Sequence, residues 1–159
     1  MSNNKPNNAR MIALIDGFFA TRNDPDQIQV TPKQLKKIEA IHESTLTELA
    51  DENGPLIWIL VIPTTNEIMN NFLLNKISEK GILDYTVPGE MYDAIYLCSA
   101  TTLPEARGKG KTKALCLANI EKIKQQHSIE NLFVWPFTRE GEALAKSIAN
   151  ASSLKLLLK

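Results

Sequence analysis

With 159 residues, 43% of them hydrophobic, the chain has the size of one ordinary domain and enough apolar material to bury a core without staples. Its 18 basic and 18 acidic residues cancel, so the overall charge gives no argument for nucleic acid or an anionic membrane as partner. No segment reaches the roughly 18 apolar residues of a bilayer span, and Cys98 and Cys116 sit in apolar runs without CxxC spacing or a nearby histidine, which reads as buried free thiols and no metal site.

The polar, Asn-rich residues 1–8 read as a flexible tail rather than a signal, ahead of a single domain over residues 9–159 of a soluble, cytoplasmic protein. Residues 11–22 carry Met11, Ile12, Ile15, Phe18 and Phe19 on one helical face, and Asn23-Asp24-Pro25 ends the helix. Ile28 and Val30 give thin support to a short edge strand, evenly balanced against a loop. Thr31-Pro32-Lys33-Gln34 supplies an N-cap, a proline at the first helical position and a capping-box glutamine. The helix it opens runs through Leu35, Ile38, Ile41, Leu46 and Leu49 to Asn53-Gly54-Pro55.

Residues 56–62 are uninterruptedly apolar and bounded by Pro55 and Pro63, which fits a strand covered on both faces in the middle of a sheet. Thr64 with Glu67 forms a second capping box, opening a helix over residues 65–80 through Ile68, Phe72, Leu73 and Ile77 that Gly81 closes. Pro88-Gly89 separates residues 82–87 from 91–103, which predicts a hairpin with a long, central second arm. A later helix carries Ala114, Leu115, Leu117, Ala118 and Ile123 and runs to about His127. Residues 132–137 follow as a strand. Thr138 caps a last helix through Ala143, Leu144 and Ile148, and residues 154–158 close the chain as an apolar stretch. The order of elements predicts an α/β domain with helices packed on a central sheet.

The central arm runs into Thr102-Leu103-Pro104-Glu105-Ala106-Arg107-Gly108-Lys109-Gly110-Lys111-Thr112. A glycine-rich turn on a helix N-terminus lets backbone N–H groups approach an anion, and the helix dipole adds to the attraction. Arg107, Lys109 and Lys111 inside that turn favour a pyrophosphate. The run is not a P-loop, because its first glycine would fall on Glu105. Nor is it a dinucleotide fingerprint, because the third glycine would fall on Lys113.

Thr102, Pro104, Glu105, Arg107, Gly108, Gly110 and Thr112 stand in register with a pattern, V-x-P-E-x-R-G-x-G-x-G/A, that resembles the acetyl-CoA site of the GCN5-related N-acetyltransferases. Thr102 and Thr112 depart from the aliphatic and small residues of the pattern, and the resemblance covers residues 91–154. It implies a mixed central sheet with a splayed strand pair flanked by helices, acetyl-CoA as co-substrate and no metal. It also implies backbone contacts from Thr102 and Leu103 to the pantetheine arm, with Arg107, Gly108, Lys109, Gly110, Lys111 and Thr112 around the pyrophosphate. The acceptor it implies is an amine, on a small molecule, a peptide or a protein.

The family's proton-handling groups are not matched. Where Thr138 stands for the family's asparagine, Ala145 takes the place of its acid tyrosine, and Ala94 takes that of the glutamate of the histone-acetylating branch. Strand alternation puts Tyr96 and Cys98 on the side of Ala94, so Tyr96 is the nearest catalytic candidate, weighed against a core tyrosine with a satisfied hydroxyl. Asp93 faces the other way and reads as solvated, and Ser99 is open between roles. Trp58 and Trp135 read as core, with Trp135 close enough to the expected splay to touch an acceptor. His42 and His127 occur singly and are given no role.

Relative to the family, the helix over residues 65–80 is an insertion that can wall an acceptor pocket. The single strand after the last helix leaves the site open or completed by a second subunit as a homodimer. The expected function is therefore direct acetyl transfer from acetyl-CoA to an amine. The alternative is a non-catalytic acyl-CoA-binding or regulatory module, and an NTPase-like domain is disfavoured by Glu105.

Overall fold

The computed structural model describes residues 5–22, 27–28 and 31–159. In chain order the elements are α1 (Pro6–Arg22), α2 (Pro32–Ile41), β1 (Leu46–Asp51), β2 (Gly54–Thr64), α3 (Asn66–Leu73), α4 (Glu79–Tyr85), β3 (Ala94–Thr102), a 3-10 turn (Pro104–Ala106), α5 (Lys111–Gln126), β4 (Asn131–Val134), α6 (Arg139–Ser152) and β5 (Lys155–Leu158). The strands form one sheet in the order β1-β2-β3-β4-β5, antiparallel from β1 to β3 and parallel from β3 to β5. The fold is thus α/β, an open mixed sheet flanked by helices.

Alternation along β2 and β3 sends side chains to two cores. Leu60, Ile62, Ala94 and Tyr96 pack with Ile38 and Ile41 of α2, Phe72 of α3 and Ile82 of α4 on one face. Ile57, Ile59, Val61 and Ile95 pack with Ile120 and Ile123 of α5 and Ile148 of α6 on the other. β2 carries buried residues on both faces, as its unbroken apolar run predicts.

β3 meets β4 only at Ala94↔Asn131, Ile95↔Leu132 and Tyr96↔Phe133. It continues to Thr102 paired with β2 alone, so the two parallel strands part beyond Tyr96 and leave one edge of β3 open.

Several sequence expectations are corrected. The predicted helix from Thr31 to Asn53 ends at Ile41, and Leu46 and Leu49 belong to β1, which pairs with β2 around the Asn53-Gly54 turn. The break is local chemistry: the Thr45 hydroxyl donates to the carbonyls of Ile38 and His42, ending the helix, and Gly54 takes φ 112°. The capping threonine of α3 is Thr65, whose Oγ accepts from the Ile68 N–H, while Thr64 closes β2 and shares a hydroxyl hydrogen bond with Thr86.

The single helix over residues 65–80 is two helices. Asn75, at φ 59°, breaks it, and Ser78 caps a new start at Glu79. Residues 82–85 are therefore helical, and Pro88-Gly89 joins α4 to β3 rather than making a hairpin. The first helix starts at Pro6, so residues 6–8 join α1, with Asn7 buried. Met11 is buried on it but Ile12 is 52% exposed. The expected stop at Asn23-Asp24-Pro25 and Val30 of the expected edge strand lie outside the described residues, as do the side chains of Phe18 and Phe19. Ile28 is buried without being in a strand. Trp58 is half-buried rather than core, its indole N–H donating to Glu48 across the β1-β2 pair.

The remaining boundaries agree closely: α5 ends at Gln126, and Thr138 caps α6 through the Gly141 N–H. The strand expected over residues 132–137 stops at Val134. Among the described residues no helix is long and apolar enough to cross a membrane.

Candidate functional site

β3 delivers the glycine-rich turn to the N-terminus of α5. Gly108 and Gly110 take φ 75° and 72°, left-handed values at which a side chain would be strained, and nothing stands within 4 Å of where either Cβ would be. Gly110 is the N-cap of α5 and no side chain caps that helix, so the orphan amides of its first turn point into an uncrowded loop. Arg107, Lys109 and Lys111 are exposed around it. Uncapped backbone donors, the positive end of a 16-residue helix and three cations are together the chemistry that suits an anion.

The turn is braced from three sides. Arg107 Nε donates to the Thr102 carbonyl at 3.0 Å, folding the turn back on the strand end. The Thr102 and Thr112 hydroxyls share a hydrogen bond at 2.9 Å, so the two residues that depart from the motif are bonded to each other. Glu105, which stands where a P-loop would need its first glycine, is held by Arg10 of α1 through two contacts of 2.6 and 2.8 Å. That pairing holds the Glu105 carboxyl at about 2, well below the usual range, through the Arg10 hydrogen bond first.

The backbone expectation for the strand end divides. The Leu103 N–H donates to the Leu56 carbonyl, so it faces β2, and the Leu103 side chain is buried. By alternation the backbone groups of Thr102 and Ala100 face the open edge left by β4. Of the two residues expected to offer backbone to a ligand, Thr102 is the one whose amide is turned to the open edge, its carbonyl being taken by Arg107.

Deeper along β3, Tyr96 is 1% exposed and its hydroxyl donates to Glu79 at 2.5 Å. Glu79, itself 2% exposed, also accepts from the Ile28 N–H at 2.8 Å. A buried carboxyl group is costly unless it is hydrogen-bonded, and the Tyr96 hydroxyl and the Ile28 N–H are among the donors that meet this one. It is a partner the sequence reading missed: Glu79 fell inside the single expected helix, and the usable signal was Ser78 as a second N-cap.

Ala94 and Ala145, where the resemblance leads one to expect proton-handling groups, are both buried and apolar. Asp93 is not simply solvated, since its carboxylate accepts from the Asn66 N–H at 2.6 Å and so ties β3 to the start of α3. Ser99 is exposed on β3.

Beyond the Tyr96↔Phe133 pair, a shallow depression of about 300 Å³ is lined by Asn75, Lys76, Ile77, Ser78, Glu79, Trp135 and Lys159. Trp135 stands edge-on to Phe72 at 6.0 Å, and the Lys159 ammonium lies 4.0 Å from the Phe72 ring centre and 4.6 Å from that of Trp135. The break between α3 and α4 thus walls this depression.

His42 and His127 come together on the far side of α2, with ring centres 5.9 Å apart. His42 Nδ1 accepts from the Ser44 N–H and His127 Nδ1 from the Tyr92 N–H. Burial, and then the charge of His42, push the His127 imidazolium to a lower pKa. Both rings serve as backbone acceptors, and no group of three metal-ligating side chains occurs among the described residues. Burial pushes the Cys116 thiol up to about 12.

Comparison with protein-family models, with curated protein sequences and with solved structures yields no match for this chain.

Proposed function

We propose that this protein is an acyl-CoA-dependent N-acyltransferase of the GCN5-related type, acting on a primary amine. The observation that carries the reading is the coincidence of two features at one strand end: β3 parts from β4 beyond Tyr96, and there it feeds an uncapped, glycine-lined helix N-terminus ringed by Arg107, Lys109 and Lys111. A ligand with an amide-bearing arm and a pyrophosphate fits both, the arm along the open edge at Thr102 and the phosphates at the α5 amides. The open space at the Gly108 and Gly110 Cβ positions is what close approach of a phosphate needs.

Acetyl-CoA would supply the thioester carbonyl. The acceptor must arrive as a free amine, so an ammonium first gives a proton to a base. This reading assigns that role to Glu79, the buried carboxyl group that lines the depression, with Tyr96 orienting it. The amine nitrogen then forms a C–N bond as the C–S bond breaks, and its second proton leaves with the thiolate as the thiol. Alignment of a neutral amine on a thioester supplies much of the acceleration by itself.

A non-catalytic acyl-CoA-binding module of the same fold is the second reading, favoured by the buried alanines at positions 94 and 145. The test is a thermal shift with acetyl-CoA, CoA and ATP on the protein and its Gly110→Asp variant, followed by an amine screen for thiol release. Stabilisation by both CoA species, lost in the variant, is expected. No CoA shift overturns the reading, and a CoA shift without thiol release from any amine turns it to the binding module.

A further inference from the structure

We propose that the corner formed by Phe72 and Trp135 is a binding site for a primary alkylammonium, and that the side chain of Lys159 fills it in the absence of a ligand. The two rings meet edge to face at 69°, which turns two π faces toward one point. The Lys159 Nζ sits at that point, 4.0 and 4.6 Å from the ring centres, inside the distance at which a cation is held by aromatic faces. Its backbone is pinned independently, since the Lys159 N–H donates to the Val134 carbonyl at 3.0 Å, so the side chain reaches the corner from a fixed anchor.

The surroundings match a cation. Glu79 is the one acidic side chain lining the depression among the described residues, and its lining neighbours Asn75 and Ser78 bring polar groups. Lys76 also lines it and sets a repulsive limit on affinity. Phe72 itself is fully buried and braced by Tyr96 at 5.4 Å, so the aromatic wall is rigid before any ligand arrives. Rigidity of that kind lowers the cost of binding.

A side chain tethered in its own site competes with any free ligand, and the apparent affinity falls by the fraction of time the site is open. An unbranched alkylammonium such as a lysine side chain is the chemistry that Lys159 already displays there. That this ammonium becomes the acyl acceptor rests on the transferase reading, because Trp135 directly follows β4 where β3 and β4 part, and Glu79 lies beside it. The binding itself does not rest on that reading.

The test is a titration with n-butylammonium, and with n-butanol as the uncharged control, followed by NMR at the Trp135 indole and the Lys159 amide without any CoA species. Wild type, Lys159→Ala, Lys159→Gln and Trp135→Leu are compared. Butylammonium is expected to bind both Lys159 variants roughly 2- to 30-fold more tightly than wild type, to bind Trp135→Leu least, and to outcompete butanol. Equal affinity for wild type and both Lys159 variants removes Lys159 as the occupant and overturns the proposal. So does equal binding of butanol, or no binding to any variant. Since CoA is absent, these outcomes are separate from the acetyl-CoA thermal shift: amine binding without a CoA shift leaves the ammonium site standing and removes the transferase.

Discussion

Arg10 and Glu105, 95 residues apart, are joined by two contacts that tie the first helix to the turn ahead of the glycine loop. Neither residue is buried, so the pair contributes little to stability, in keeping with other exposed ion pairs. Its effect is electrostatic: Arg10 neutralises the one carboxylate within the motif. Arg10→Ala is expected to leave the melting temperature nearly unchanged but to weaken binding of pyrophosphate-bearing ligands several-fold at low salt, an effect that fades as salt is added. Glu105→Gln is expected to preserve that binding. Isothermal titration at two ionic strengths checks both.

Substitution at Gly110 separates backbone strain from ligand loss. At φ 72° and with open space at the Cβ, Gly110→Ala costs only the left-handed conformation, about 1 kcal/mol or a few degrees in melting temperature. Gly110→Asp adds a negative charge at the anion site and is expected to abolish the CoA-dependent shift while unfolding at a similar temperature. Differential scanning fluorimetry with and without ligand distinguishes the two.

Tyr96→Phe removes a hydroxyl donor from the buried Glu79 side chain. Unfolding in urea is expected to show a loss of about 1–3 kcal/mol, and Tyr96→Phe combined with Glu79→Gln a smaller loss than the sum of the single changes, because the two side chains share one hydrogen bond. Additive losses would separate them.

His127 gives a pH dependence. The His127 imidazole is held neutral in the fold, with its pKa below the ordinary value, so the unfolded chain binds its proton at a higher pH than the native one. Stability from this group is present above the ordinary pKa of about 6.5 and is lost as pH falls through the depressed native value. The urea midpoint is expected to drop between pH 7.5 and 5, and His127→Gln to flatten that drop.

The Cys116 thiol, held at about 12 by burial, is expected to resist a thiol-labelling reagent until the protein unfolds. Mass spectrometry of a labelling time course, with and without urea, reads this directly.

What could be read in the residues follows from how local the controlling physics is. The turn from Thr102 to Thr112 was legible because glycines at left-handed φ and a helix start are fixed by neighbours in sequence. The β1-β2 hairpin was not, because Leu46 and Leu49 continue the helical spacing of Ile38 and Ile41. Only the Thr45 hydroxyl bonds and the pairing with β2 decide against the helix. The Asn53-Gly54 dipeptide was the available hairpin signal. Glu79, Arg10 and Lys159 were illegible as site residues because each meets its partner across a different element of the fold, respectively Tyr96, Glu105 and Phe72, at separations of 17, 95 and 87 residues.

The parting of β3 and β4 leaves a chemical record that needs no ligand of known identity. At adjacent residues where β3 ends, the Leu103 amide is locked to Leu56 while the Thr102 amide faces the gap. Deuterium uptake should therefore alternate along this stretch, slow at Leu103 and fast at Thr102 and Ala100. Any molecule that lies along the gap as an extra strand would erase the alternation, so the backbone itself reports when the right compound has been found.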